Sequence, residues 1–108
     1  MKKNIFITGV SSELLQFLIS FIDLKEYNII GLSRKLKSFP NLKIINCNIN
    51  QICNYKNDLI KSDIIIHGAG LTHSYNTKDY LKINFLGTKI LVDSIKKYNK
   101  KFIFISSY

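Results

Sequence analysis

Five short segments of this chain are apolar throughout, with no alternation between apolar and polar residues. They are rich in isoleucine and phenylalanine, and three of the gaps between them have a helical pattern. A strand that is apolar on both sides is buried on both sides, which is typical of a parallel sheet covered by helices. The predicted strands are residues 4–8, 28–32, 43–46, 63–67 and 102–106.

The predicted helices are residues 12–23, 51–60 and 78–98. The first is apolar nearly all round, so we expect it to be well buried. The third carries two apolar faces, and within each face the residues recur at spacings of three and four. We expect one face to cover the sheet and the other to be exposed. The first face consists of Leu81, Phe85, Thr88, Val92 and Ile95, and the second of Ile83, Leu86 and Ile90.

Strands that alternate with helices pair in parallel through right-handed crossovers. We therefore predict a doubly wound, Rossmann-type α/β domain of about five strands in the order 3-2-1-4-5, with residues 1–108 forming one unit. Ligands of such folds bind at the carboxyl ends of the strands, where the strand order reverses. The loops that begin at Gly9, Ser33, His67 and Ser106 are expected to meet there.

The net charge of +9 comes from lysines that are scattered along the sequence, with a single arginine. Arginine is the preferred residue for bidentate base and phosphate contacts, so we predict a solubilising surface and no nucleic-acid interface. Cys47 and Cys53 match no zinc or redox spacing, and no metal site is predicted. The apolar run at residues 5–10 is too short for a signal peptide or a membrane span, which predicts a cytoplasmic protein.

The first strand is followed by a turn that begins Thr8-Gly9 and continues through Ser11 and Ser12. Glycine permits a positive φ or a close approach of ligand to backbone, and a helix N-terminus offers unpaired N–H groups. The serine hydroxyls can cap the helix or bind a phosphate. The turn is therefore either a phosphate-binding turn or an ordinary capped one.

The second strand ends in Ser33 and Arg34, where a dinucleotide-binding domain often has an acidic residue for the ribose hydroxyls. A hydroxyl and a guanidinium suit a 2′-phosphate, which favours NADP over NAD. The alternative is a solvated basic turn, since Lys35 and Lys37 are close in sequence.

Small residues also follow the fourth strand, in the segment His67-Gly68-Ala69-Gly70. They leave room for a ligand to lie on the backbone, whereas a single histidine at a strand end is more often structural than catalytic. In the third helix, Asn84 precedes Gly87, and a glycine inside a helix usually marks close packing. The fifth strand ends in paired serines that can deliver a hydroxyl to the crevice.

Together these segments resemble the short-chain dehydrogenase/reductase superfamily, in particular its extended branch of NAD(P)-dependent epimerases and dehydratases, which act mostly on nucleotide sugars. The resemblance covers essentially the whole chain. The segment that ends at Gly70 is similar to D-V-V-I-H-L-A-A, and Tyr80-x-x-x-Asn84-x-x-Gly87-Thr88 to Y-x-x-N-x-x-G-T with one extra residue. Residues 102–107 resemble F-V-Y-x-S-S.

The resemblance implies roles for particular residues. Asn48 lies where an aspartate often contacts the adenine ring, and Ser107 where the family places its catalytic Ser or Thr. It also implies that the helix over residues 78–98 joins a homodimer interface. The implied cofactor-binding residues are Thr8, Gly9, Ser11, Ser12, Ser33, Arg34, Asn48, His67, Gly68, Ala69, Gly70 and Asn84.

The chain departs from the family's glycine turn, T-G-x-x-G-x-x-G, beyond its second residue. The later glycines are replaced by Ser12 and Leu15 in this register, or by Glu13 and Leu15 in the compact branch's register T-G-x-x-x-G-x-G, and Glu13 places a negative charge nearby. We expect Leu15 to force the helix outward. If Glu13 faces a bound pyrophosphate, repulsion of about 3 kcal/mol is expected at about 6 Å, and less if its side chain points to water.

The family's Tyr-x-x-x-Lys pair and its substrate region would follow the fifth strand. We therefore expect residues 1–108 to be the cofactor-binding portion of an epimerase or dehydratase, inactive alone. Two alternatives remain, a cofactor-binding sensor on the same fold and a truncated remnant that binds nothing.

Overall fold

A five-stranded parallel sheet forms the centre of the domain in the computed structural model, which describes residues 2–35, 38–68 and 82–105. The strands follow the order β3-β2-β1-β4-β5, as the sequence predicts. Their bounds are β1 Lys3–Thr8, β2 Tyr27–Ser33, β3 Lys43–Asn46, β4 Ile64–His67 and β5 Lys101–Phe104. The strand order reverses between β1 and β4, so the crevice lies where it was expected.

The helices are shorter than the sequence pattern indicates. They are α1 Glu13–Ile19, α2 Lys56–Lys61 and α3 Gly87–Ile95, with a 3-10 turn at Ile52–Asn54 and a π-helical turn at Lys82–Leu86. Ser12 is the N-cap of α1, and its hydroxyl accepts a hydrogen bond of 3.2 Å from the Leu15 amide. The predicted helical residues 78–81 lie outside the described part of the chain.

Two apolar clusters lie on the two faces of the sheet. The first is covered by α2 and α3 and contains Phe6, Leu32, Cys47, Ile49, Tyr55, Leu59, Ile65, Leu91 and Ile95. The second is covered by α1 and contains Ile5, Ile7, Val10, Leu15, Ile29 and Ile66. Strands buried on both faces explain the continuous apolar runs.

The prediction that α1 is buried nearly all round is wrong. Leu15 is 2% exposed, whereas Leu14, Phe17 and Phe21 are more than half exposed. The helix reaches the sheet along one stripe, and Phe17 and Phe21 pack edge to face on its outer side instead. An apolar helix can thus leave a face uncovered when only one layer lies beneath it.

The face predicted for the third helix is only partly correct. Ile95 is buried as expected, but Phe85 and Val92 are exposed, and Leu91 packs on the sheet in their place. Phe85 lies within the π-helical turn, before α3 begins, and the wider i→i+5 winding of that turn breaks the spacing of three and four on which the prediction rests. Leu81 is not among the described residues.

Candidate functional site

A cleft of about 180 Å³ opens at the carboxyl ends of the strands, beside the point where the strand order reverses. Its lining contains residues of the predicted loops that begin at Gly9 and at Ser33, and the first residue of the loop that follows His67. The lining residues are Gly9, Ser11, Leu32, Ser33, Arg34, Lys35, Cys47, Asn48, Ile49 and Gly68. The only charged groups in this set are the two cations, so the cleft suits an anionic ligand.

The structure brings together six of the twelve residues that the resemblance implies for cofactor binding. Gly9, Ser11, Ser33, Arg34, Asn48 and Gly68 line the cleft. Thr8 and His67 lie buried beneath it, and Ser12 is occupied as the helix cap. Asn84 lies in the π-helical turn and outside the cleft lining, while Ala69, Gly70 and Ser107 lie outside the described residues.

The turn after β1 is held by hydrogen bonds to β2 and to α1. Gly9 has a φ of 71°, a conformation that favours glycine. The Gly9 and Val10 amides both donate to the Leu32 carbonyl, at 3.2 and 3.3 Å. The Gln16 amide group reaches back and donates to the Val10 carbonyl at 2.6 Å. Gln16 was missed in the sequence because a single polar residue in a helix gives no signal of such a brace.

Three glycines around the crevice each leave room for an aliphatic side chain. A β-carbon on Gly31 would lie 2.7 Å from a methyl of Val10, and one on Gly68 would lie 2.6 Å from a methyl of Leu15. One on Gly87 would lie 2.9 Å from a methyl of Ile49. Gly87 therefore marks close packing, but its neighbour Ile49 lies in the loop after β3 and not in the sheet, where the prediction placed it. Leu15 is buried against Gly68, and the expectation that its side chain forces the helix outward stays a prediction.

The loop after β2 places its cations at the rim of the cleft. The buried Ser33 hydroxyl donates to the Lys35 carbonyl at 3.2 Å and accepts from the Lys35 amide at 3.1 Å. Ser33 thus shapes the loop, while Arg34 and Lys35 are exposed beside the opening. Lys37 lies outside the described residues.

The loop after β3 closes the far side of the cleft. The Asn48 amide donates to the Gln51 side chain at 2.7 Å, which holds half-buried Asn48 at the lining. Cys47 lies beside it with 8% of its surface exposed. Burial raises the pKa of the Cys47 thiol, and a hydrogen bond with Asn54 opposes that shift. Nothing in the sequence separates Cys47 from Cys53, which is exposed.

His67 is 1% exposed and joins three elements beneath the crevice. Thr88 donates to the Asn84 carbonyl at 2.6 Å, so its hydroxyl accepts from Nε2–H of His67 at 2.8 Å. Burial lowers the pKa of His67 to about 4, so the ring is neutral at pH 7 and Nδ1 accepts from the Thr8 hydroxyl at 2.6 Å. This geometry supports the structural interpretation of His67.

Glu13 is exposed and does not line the cleft. Of the two orientations that the sequence leaves open, the Glu13 side chain has the one that points to water, in which its repulsion of a bound pyrophosphate is weak. Within the described ranges, no group of three or more His, Cys, Asp or Glu residues could hold a metal ion. None of the helices in these same ranges is long and apolar enough to cross a membrane.

Solved structures share this fold over nearly the whole chain. Uronate dehydrogenase from Agrobacterium tumefaciens superposes with a TM-score of 0.80 at 16% identity, over 98% of this chain and 41% of that protein. MoeE5 in complex with UDP-glucose and NAD gives 0.81 at 19%, over 96% and 36%. The yeast methylglyoxal/isovaleraldehyde reductase Gre2 complexed with NADPH gives 0.77 at 20%, over 97% and 37%.

The chain thus spans about two fifths of the length of these proteins. No curated protein sequence matches it significantly. The family model of the NAD dependent epimerase/dehydratase family matches residues 5–108, which is nearly the entire chain. That match and the β3-β2-β1-β4-β5 sheet agree with the resemblance drawn from the motifs. The chain belongs to the NAD-dependent epimerase/dehydratase family.

Proposed function

We propose that this chain binds a nicotinamide dinucleotide with its adenosine half in the cleft between Gly9 and Asn48. The observation that carries the proposal is the cleft itself, which lies beside the switch point and has cations at its rim and no carboxylate among the described residues of its lining. The apolar side chains of Leu32 and Ile49 provide surface for an adenine ring. Ser11 and the backbone at Gly9 lie where phosphates would pass.

The proposed cofactor is NADP in preference to NAD. Arg34 and Lys35 are exposed at the rim, next to the strand end that meets the adenosine ribose in folds of this kind. A guanidinium binds a phosphate through two parallel hydrogen bonds, and a second cation adds attraction. A tenfold preference corresponds to about 1.4 kcal/mol.

Calorimetric titration of the chain with NADPH and NADH tests this proposal. We expect NADPH to bind about tenfold more tightly, and Arg34→Ala to remove the difference. Lys25→Ala is the matched control, because it removes one exposed positive charge away from the cleft. Equal affinities in the unmutated chain would contradict the NADP preference, and no binding of either cofactor would contradict the function.

We further propose that the chain is the cofactor-binding portion of an enzyme that acts on a nucleotide sugar. Ser107 would supply a hydroxyl to its active site. None of the chain's six tyrosines is followed by a lysine four residues later, so a tyrosine activated by such a lysine is not provided within residues 1–108. We expect no turnover of UDP-glucose with NAD or NADP by these residues alone; turnover above a blank would contradict this.

We also propose that the chain forms a homodimer through the segment at residues 78–98. Leu86 is 42% exposed and Ile90 is half-buried, which leaves an apolar face available on this segment. Sedimentation should show a concentration-dependent dimer that Leu86→Lys weakens. A monomer at high concentration would refute the interface.

A further inference from the structure

Leu15 and Gly68 occupy one packing site at the base of the crevice. Leu15 is 2% exposed, in a cluster with Ile7 and Ile66, and has little space in which to move. A β-carbon on Gly68 would lie 2.6 Å from Cδ2 and 3.2 Å from Cγ of Leu15. The described glycines with positive φ include only Gly9, so Gly68 is required here for space and not for backbone conformation.

Only one of the two residues is exposed to the cleft. The Gly68 backbone lines the cleft, whereas Leu15 does not. Gly68 is tied to β1, because its amide donates to the carbonyl and to the hydroxyl of Thr8, at 3.1 and 3.0 Å. The Leu15 amide is tied to the helix cap through Ser12. A change at either position therefore shifts the floor of the cleft relative to the turn that begins at Gly9.

We propose that Leu15 and Gly68 act as a positioning pair, in which Leu15 supports the Gly68 backbone as the surface on which the dinucleotide lies. The room that a glycine in the first helix would leave is provided instead by a glycine at the end of β4. This inference rests on the proposed function, since it assigns part of the binding surface of the same cleft. Leu15 acts through Gly68 and does not touch the ligand.

The test is a cycle of Gly68→Ala, Leu15→Ala and the double variant, with NADPH affinity measured by calorimetry and stability by urea denaturation. Gly68→Ala should weaken NADPH binding about tenfold, because the new methyl displaces buried Leu15 or the floor of the cleft. In the Leu15→Ala background the new methyl occupies the space that Cδ2 vacates. There Gly68→Ala should change affinity less than roughly threefold.

Leu14→Ala provides the matched control. Leu14 is the neighbouring leucine of α1 but is 55% exposed, so it does not share the packing site. In that background Gly68→Ala should still weaken NADPH binding about tenfold. If Gly68→Ala caused equal losses with and without the Leu15→Ala substitution, in both affinity and urea midpoint, the proposal would be overturned.

The two measurements separate this proposal from the function on which it rests. If the unmutated chain binds neither NADPH nor NADH, the function and the ligand-facing part of the proposal both fail. A urea midpoint that Gly68→Ala lowers only when Leu15 is present would still establish the packing pair. Coupling in stability with an unchanged affinity would refute the positioning role while leaving cofactor binding intact.

Discussion

Two kinds of joint hold the crevice together, and they differ in what they tolerate. The polar joint, formed by Thr8, His67 and Thr88, links β1, β4 and α3 through directed hydrogen bonds. The apolar joints are the glycines at positions 31, 68 and 87, each filled by one aliphatic side chain. A hydrogen-bonded joint depends on protonation and donor direction, whereas a packed joint depends on volume alone.

This difference predicts which joint responds to pH. Buried His67 responds to pH, and its ring also stacks on Phe104 of β5, with centroids 5.4 Å apart. The apolar joints contain no ionisable group, so pH does not change them directly. The polar joint should therefore fail first in acid, and the apolar joints should fail first when a side chain is enlarged.

The largest effect is expected from acid acting on His67. Its pKa falls from 6.5 to about 4 on folding because the ring is buried. Between these values the unfolded chain binds a proton that the folded chain does not. Stability from this group is thus fully present above pH 6.5 and is lost as pH falls toward 4, by roughly 3 kcal/mol in total.

Urea denaturation at several pH values measures this loss. The chain's carboxylates also titrate in acid, so the difference between the unmutated chain and His67→Gln isolates the histidine. The unmutated chain should lose more stability than the variant between pH 6.5 and about 4. Parallel pH profiles for the two proteins would show that the polar joint does not respond to protonation.

The second effect concerns the apolar joint between Gly31 and Val10. In Gly31→Ala the new β-carbon would lie within 2.9 Å of three atoms of Val10, which is fully buried. We expect a loss of about 2 kcal/mol that does not vary between about pH 5 and 8. Val10→Ala with Gly31→Ala should recover part of the loss. A substitution that costs nothing would mean that Val10 can move aside.

Much of this architecture could be predicted from the sequence, because burial on both faces leaves a local trace. The apolar strands and their order follow from continuous runs such as residues 63–67, and α1 begins where Ser12 suggests a cap. The cleft loops follow from the strand order, since carboxyl ends of parallel strands meet at one edge. Arg34 was found in this way, whereas Asn48 was implied by the family resemblance.

The joints could not be predicted, because each depends on residues far apart in the chain. The contact joins Leu15 of α1 with Gly68, the residue after β4, and each residue alone looks like a departure from a motif. The exposure of Phe17 likewise depends on which layers cover α1, not on α1 itself. Local patterns report a residue's periodicity and not its distant partner.

A smaller effect should follow from removing one hydroxyl of the polar joint. Thr88→Val keeps the shape of the side chain but leaves Nε2–H of buried His67 without its acceptor. We expect a loss of about 1 kcal/mol in urea denaturation. Thr88→Ser is the matched control, because it retains the hydroxyl and should recover most of the stability. Unchanged stability in the valine variant would show that the Thr88 hydroxyl does not stabilise the polar joint.

The smallest change is one of reactivity, without an expected effect on stability. Cys47 lines the cleft and is nearly buried, with its pKa raised by burial, whereas Cys53 is exposed. Because the thiolate is the reactive form, iodoacetamide should modify Cys47 roughly tenfold more slowly than Cys53.

ADP-ribose should slow the Cys47 reaction further and leave Cys53 unchanged. Nicotinamide mononucleotide, which lacks the adenosine half, should protect neither. Mass spectrometry of the two cysteine-containing peptides follows both rates in one sample. Equal protection by the two compounds would place the adenosine away from Cys47 and contradict the proposed binding mode.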